Sequence, residues 1–281
     1  MTVNRGRKAR IRRWSVCAML AAASVCTADA SEAQSPSAPA EPAPSTGELI
    51  RAFEMVVFGT EFQEFDSLTG RHRVWKWETP LRIVIRNFHD RFVDTADGGQ
   101  RSILEQVPVT EHQFMSVETH LNTLAALTGL RTEDAVAVGK AANFVINFVP
   151  RHQMSNPALA DLDPRLMARM ASQGGCYFAS WPRKENGQLY RAVVVVNAEL
   201  GDSKVRHCLL EEMAQALGLP NDVRVRWPSV FSEGKKVTAL SDYDRLFLQT
   251  LYDPRIKAGM SKTDGLRAAR RILAERVRSA N

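Results

Sequence analysis

Beyond residue 30 the chain lacks any apolar run close to the roughly 20 residues that a membrane-spanning helix needs, so no transmembrane segment is expected there. Cysteine is scarce: of four, only Cys176 and Cys208 lie after residue 30. No internal repeat is visible. Neither Gly98-Gly99 nor Gly174-Gly175 sits in the strand, glycine-rich turn and helix order of a phosphate loop. Charge of one sign is also missing once the N-terminus is set aside. Residues 1–13 hold six cations, Arg5, Arg7, Lys8, Arg10, Arg12 and Arg13; without these and Asp29, the 37 basic and 31 acidic residues become 31 and 30, a net charge of +1. A near-neutral domain removes the ground for the nucleic-acid reading that the whole-chain pI of 9.3 invites.

What stands at the N-terminus has the form of an export signal. Six cations precede an apolar stretch from Trp14 to Cys26, too short to span a bilayer, and Ala28-Asp29-Ala30 offers the small-x-small cleavage pattern. Residues 1–30 therefore read as a signal peptide, and the mature protein is expected to be periplasmic or secreted. Cys26 is not read as a lipid anchor, because Val25 is bulkier than the small residue that normally precedes such a cysteine. Residues 31–47 are Pro, Ala and Ser with little to bury and read as a disordered linker. Residues 48–281 then form one domain of ordinary size. In an oxidising compartment Cys176 and Cys208 are expected to pair, the alternative being two separate buried cysteines.

Hydrophobic spacing divides that domain into elements. Residues 48–58 carry Leu49, Ile50, Phe53, Val56 and Val57 at helical intervals, and 74–85 alternates as a strand. A long helix is expected over 110–127, closed by Gly129, then strands over 141–150 and 190–196 with a short helix near 161–170 between them. Helices over 204–217, 241–251 and 264–277 complete the pattern, an α+β arrangement.

The 204–217 helix carries the chemistry. Val205, Leu209, Leu210, Met213, Ala216 and Leu217 share one arc, while His207, Glu211 and Gln215 stack at four-residue intervals on the other, with Glu212 at the border. A bland reading makes that polar arc a solvated helix face. Elsewhere, His112 and His120 lie eight apart and read as surface groups, and His72, His89 and His152 have no partner at a ligand spacing.

The helix, its Leu217-Gly218-Leu219 exit, and the later helix from Ser241 to Tyr252 resemble the zincin metallopeptidases. There the helix bears His-Glu-x-x-His, two zinc ligands around a general-base glutamate. Here the frame reads Glu211-Glu212-Met213-Ala214-Gln215, so both ligand histidines are absent. Cys208 to Asp222 also resembles the signature of an uncharacterised exported bacterial family grouped with the zincins. Ser229-Val230-Phe231 stands where metzincins keep a methionine turn, with Phe in place of Met. The resemblance implies a twisted mixed sheet, a long backing helix, an active-site-type helix and a helical C-terminal part.

It also implies ligand-equivalent positions at Glu211, Gln215 and Asn221, with His207 and Asp222 as neighbours able to add donors, and a catalytic position at Glu212. Carboxylate and amide oxygens suit hard divalent cations; a tightly held zinc is not expected. A general base without an activating metal contributes about 10²- to 10⁴-fold, too little for peptide hydrolysis. The expectation is a pseudoenzyme that keeps the cleft and binds a peptide or an envelope protein. The alternative is an atypical metal-dependent hydrolase using Glu212.

Overall fold

The computed structural model describes residues 43–59, 72–232 and 236–280. The expected signal peptide, Cys26 and residues 31–42 of the expected linker lie outside the described residues. Helix α1 (Thr46–Phe58) begins two residues ahead of the apolar spacing because Ser45 and Glu48 form a reciprocal capping box, Glu48 Oε2 accepting from Ser45 N at 2.7 Å. Its buried face, Leu49, Ile50, Phe53, Val56 and Val57, follows the predicted stripe.

A mixed sheet forms the centre. Its strands are β1 (Leu81–Asp94), β2 (Gln100–Val107), β3 (Thr132–Asp134), β4 (Phe144–Val149), β5 (Cys176–Pro182) and β6 (Leu189–Asn197). The order is β2-β1-β4-β6-β5, with β3 beside the start of β1. The β1–β4 and β4–β6 pairs are parallel, whereas β2 and β5 run antiparallel at the two edges. Val193, Val195 and Val194, Val196 of β6 face opposite cores and all are buried, which explains the unbroken apolar run.

Helix α2 (Glu111–Thr128) is the long backing helix, capped by Thr110 and ended by Gly129 in the left-handed region at φ 71°. Helix α3 (Pro164–Gln173) starts from the Asp163 cap. Helices α4 (Asp202–Gln215), α5 (Asp242–Leu251) and α6 (Lys262–Ala280) follow, the last two supplying the helical C-terminus. One core lies between the sheet and α1, α2, α4, α5 and α6; a smaller one, built on Met154, Met167, Met170 and Tyr177, fills the opposite face.

Two local readings change. The strand expected over 74–85 begins only at Leu81, because Lys76 and Trp77 are consecutive and both buried, at 5% and 1% exposure, which breaks the alternation. Segment 74–80 instead threads between other backbones: Gly259 N and Leu189 N donate to the carbonyls of Val74 and Lys76 at 2.8 and 2.9 Å. Beyond Ile85, β1 continues to Asp94 and turns through Gly98 into β2, whose largely polar sequence gave no strand signal.

Candidate functional site

Helix α4 lies against the sheet, and the Cys176–Cys208 disulfide joins it to the first residue of edge strand β5, with a Cα–Cα distance of 5.8 Å. Its apolar arc packs into the larger core as the wheel requires. The polar arc, however, is not a solvated face. Glu212 and Gln215 are only 7% and 3% exposed, and the His207 and Glu211 side chains are mostly covered. Val237 lies over the helix: His207 Nδ1 is 2.8 Å from its carbonyl oxygen. A helical wheel cannot register a loop arriving from thirty residues downstream.

That contact fixes the imidazole. A carbonyl only accepts, so Nδ1 carries the hydrogen and Nε2 faces Glu211 Oε2 at 3.3 Å. Burial lowers the His207 pKa from its ordinary value and the Lys236 charge adds to this, against the hydrogen bond to Val237. On the other side of Glu211, carboxylate oxygens of Glu211 and Glu212 and the Sγ of Cys176 all lie within 4.8 Å of one another. Among the described residues, this is the one group of three or more His, Cys, Asp or Glu donors close enough to share an ion.

The remaining ligand-equivalent positions go elsewhere. Gln215 Nε2 donates to Asp222 Oδ1 at 2.8 Å, linking the end of α4 to the following loop. Asn221 Nδ2 donates to the carbonyls of Met55 and Asp222 at 3.1 and 2.8 Å, tying that loop to α1. Glu211 is therefore close to His207 and Glu212, while Gln215 pairs with Asp222 and Asn221 reaches toward α1. This set does not fit a tetrahedral zinc of the zincin kind: it offers one imidazole, one register early, and otherwise carboxylates and amides. In its oxidised form Cys176 adds nothing, because only a thiolate ligates.

Three positioning groups escaped the sequence reading. Trp77 Nε1 donates to the Ala216 carbonyl at 3.0 Å and Tyr252 Oη donates to that of Leu217 at 2.8 Å, so the last turn of α4 is clamped from two sides. Gly218 follows at φ 111°, where a Cβ would lie 2.2 Å from the Trp75 carbonyl oxygen; no other residue fits. Lys76 donates to the carbonyls of Leu251 and Ile256 at 2.9 and 2.8 Å and lies over the Tyr252 ring. Two tryptophans flanking a lysine is the only sequence hint of this clamp.

A family model described as "Protein of unknown function (DUF2927)" matches residues 46–271. The chain belongs to the DUF2927 family. No curated protein and no solved structure matches it. The DUF2927 match opens on the first residue of α1 and runs into α6, so the sheet, α4 and the clamp on its exit all fall within the family domain.

Proposed function

We propose that this DUF2927 domain is an exported, zincin-like pseudoenzyme that binds an extended segment of a peptide or envelope protein along β5. The observation that carries the reading is the outer edge of β5: among the described residues it pairs with β6 on one side only, and α4 stands beside it, held by the disulfide. An open strand edge presents a row of backbone donors and acceptors that an extended chain completes. Asn197 N bonds the Gly175 carbonyl, so alternation directs the amides of Phe178 and Ser180 outward. The oxygen-rich donor set on α4 supports loss of zinc chemistry, and the basic, apolar, small-x-small N-terminus supports export.

The test is hydrogen exchange on the mature domain carrying a ligand selected from a randomised peptide library. Protection of the Phe178 and Ser180 amides, with the peptide recovered intact, is the expected result. Bound peptide that leaves those amides unprotected would overturn the reading.

One observation favours a second reading, a metal-dependent hydrolase in which Glu212 is the general base: that carboxylate is buried beside Glu211. Elemental analysis separates the two. One equivalent of a transition metal in the purified domain, lost together with peptide cleavage in Glu211→Ala, establishes the hydrolase in place of the binding module.

A further inference from the structure

Strand β2 stands at the end of the sheet opposite β5, and among the described residues it pairs with β1 alone. Its eight residues, Gln100–Val107, run against β1 without a register shift and include neither proline nor lysine. A long regular edge of this kind accepts another strand unless its side chains select one. We propose that the strand it accepts is β2 of a second copy of this chain, paired antiparallel about a two-fold axis at Ile103, with Arg101 of each copy opposite Glu105 of the other.

The backbone sets the first condition. Thr95 N donates to the Gly99 carbonyl at 2.8 Å where β1 turns into β2, and inward and outward groups alternate from there. Arg101, Ile103, Glu105 and Val107 therefore bond to β1, while the N–H and C=O groups of Gln100, Ser102, Leu104 and Gln106 point away from it. An axis through a residue of β2 sets outward groups against outward groups. An axis between two residues does not.

Side chains choose among the axes that remain. At Ile103, Arg101 and Glu105 oppose each other twice, in the pairs where Cα atoms are about 4.5 Å apart and side chains closest, with Ile103 against itself between them. At Leu104 the axis sets Ile103 against Glu105 and Arg101 against Val107; at Glu105 it sets two carboxylates together. Arg101 is exposed beside Val93 of β1, and Glu105 contacts Arg91 at 3.7 Å with both side chains half-exposed, so the two charges are available on one face. On the other face Phe92 is 65% exposed beside the small Ser102, which the axis at Ile103 sets against Leu104 of the second copy. The exposed ring thereby gains an apolar neighbour. Pairing through β2 leaves β5 at the far ends of the joined sheet, so the inference does not depend on what β5 binds.

Sedimentation of the mature domain is expected to show a species of about twice the chain mass that dissociates on dilution, with the Ser102 and Leu104 amides protected from hydrogen exchange only while it persists. Arg101→Glu and Glu105→Arg each set like charges opposite one another and are expected to weaken the dimer about tenfold or more. Mixing the two variants restores both opposite-charge pairs, and recovery of a heterodimer is the expected result. A monomer at every concentration, a dimer whose Ser102 and Leu104 amides exchange freely, or a mixture that associates no better than either variant overturns the proposal. Protection of those amides in the monomer also overturns it, because the edge is then covered by residues of its own chain. The wild-type measurements decide the matter whether or not a variant folds.

Discussion

Asp244 holds the hydroxyl of Ser229 at 2.5 Å, and through it the turn that follows α4 is fixed to α5. The carboxylate also accepts from Val230 N at 3.1 Å and Ser241 N at 2.9 Å, and Asp244 is fully buried. Burial raises its pKa above the ordinary value, while these hydrogen bonds oppose the shift. Asp244→Asn replaces one acceptor oxygen with a donor aimed at donors. The expected cost is about 1–3 kcal/mol, read as a lower urea midpoint. A midpoint equal to that of the wild-type protein would show that the turn is held by its apolar neighbours alone.

Lys76 makes stability rise with pH in the alkaline range. Burial lowers its pKa from 10.5 to about 8, the nearby Lys257 charge adding to this against Glu78 and Asp253. Between those values the unfolded chain binds a proton that the folded one does not, so unfolding becomes less favourable as pH rises; below about 8 both states are charged and the penalty is constant. The shift corresponds to about 3 kcal/mol. A neutral amine still donates to the Leu251 and Ile256 carbonyls, so the contacts survive deprotonation. Urea unfolding across this range is expected to show the rise in the wild-type protein and its absence in Lys76→Met.

Periodicity made most elements legible. The stripe of α1 and the apolar run of β6 each register burial along one chain segment, and burial is what spacing encodes, whereas β4 alternates in sequence but is buried on both faces, Asn147 included. Strand β2 escaped because none of its residues is fully buried and only Leu104 among them packs on the smaller core, too little to mark an alternation. The burial of Lys76 was not legible because its partners are carbonyls 175 and 180 residues away, which local pattern cannot register. The same limit governed α4, where the polar arc was legible as a set of residues and its covering by the Val237 segment was not. The cysteine pairing was readable from scarcity together with the expected oxidising compartment; its nearness to Glu211 and Glu212 was not.

His120 was expected on the surface and is buried between α2 and α4, 6% exposed, with no partner for Nε2 among the described residues. Burial lowers its pKa from 6.5, the Arg206 charge adding to this against the Arg206 backbone. As pH falls through about 6.5 the unfolded chain takes up a proton that the folded ring resists, so stability drops toward acid. His207 contributes in the same direction, and a comparison with His120→Leu isolates the first ring. The variant is expected to lose less stability than the wild-type protein between neutral and mildly acidic pH. Parallel pH profiles would place the acid sensitivity at His207 or at carboxylates.

The disulfide closes a loop of sequence separation 32, from the edge strand through β6 to the middle of α4. Constraining the unfolded chain by such a loop contributes about 3–4 kcal/mol in the chain-entropy account. The double variant Cys176→Ala/Cys208→Ala is therefore expected to unfold at lower urea concentration by that margin, and the native and reduced wild-type masses to differ by two hydrogens. The distribution of the loss matters as much as its size. Leu209, Leu210 and Met213 keep α4 in the core without the bond, whereas β5, among the described residues, has one strand neighbour, the packing of Tyr177 and the disulfide that ties it to α4. Hydrogen exchange in the double variant should accordingly rise first in β5, with α4 protected to near the global limit. Uniform loss across both would mean that the bond stabilises the domain as a whole, and that the edge offered for peptide pairing is held by β6 alone.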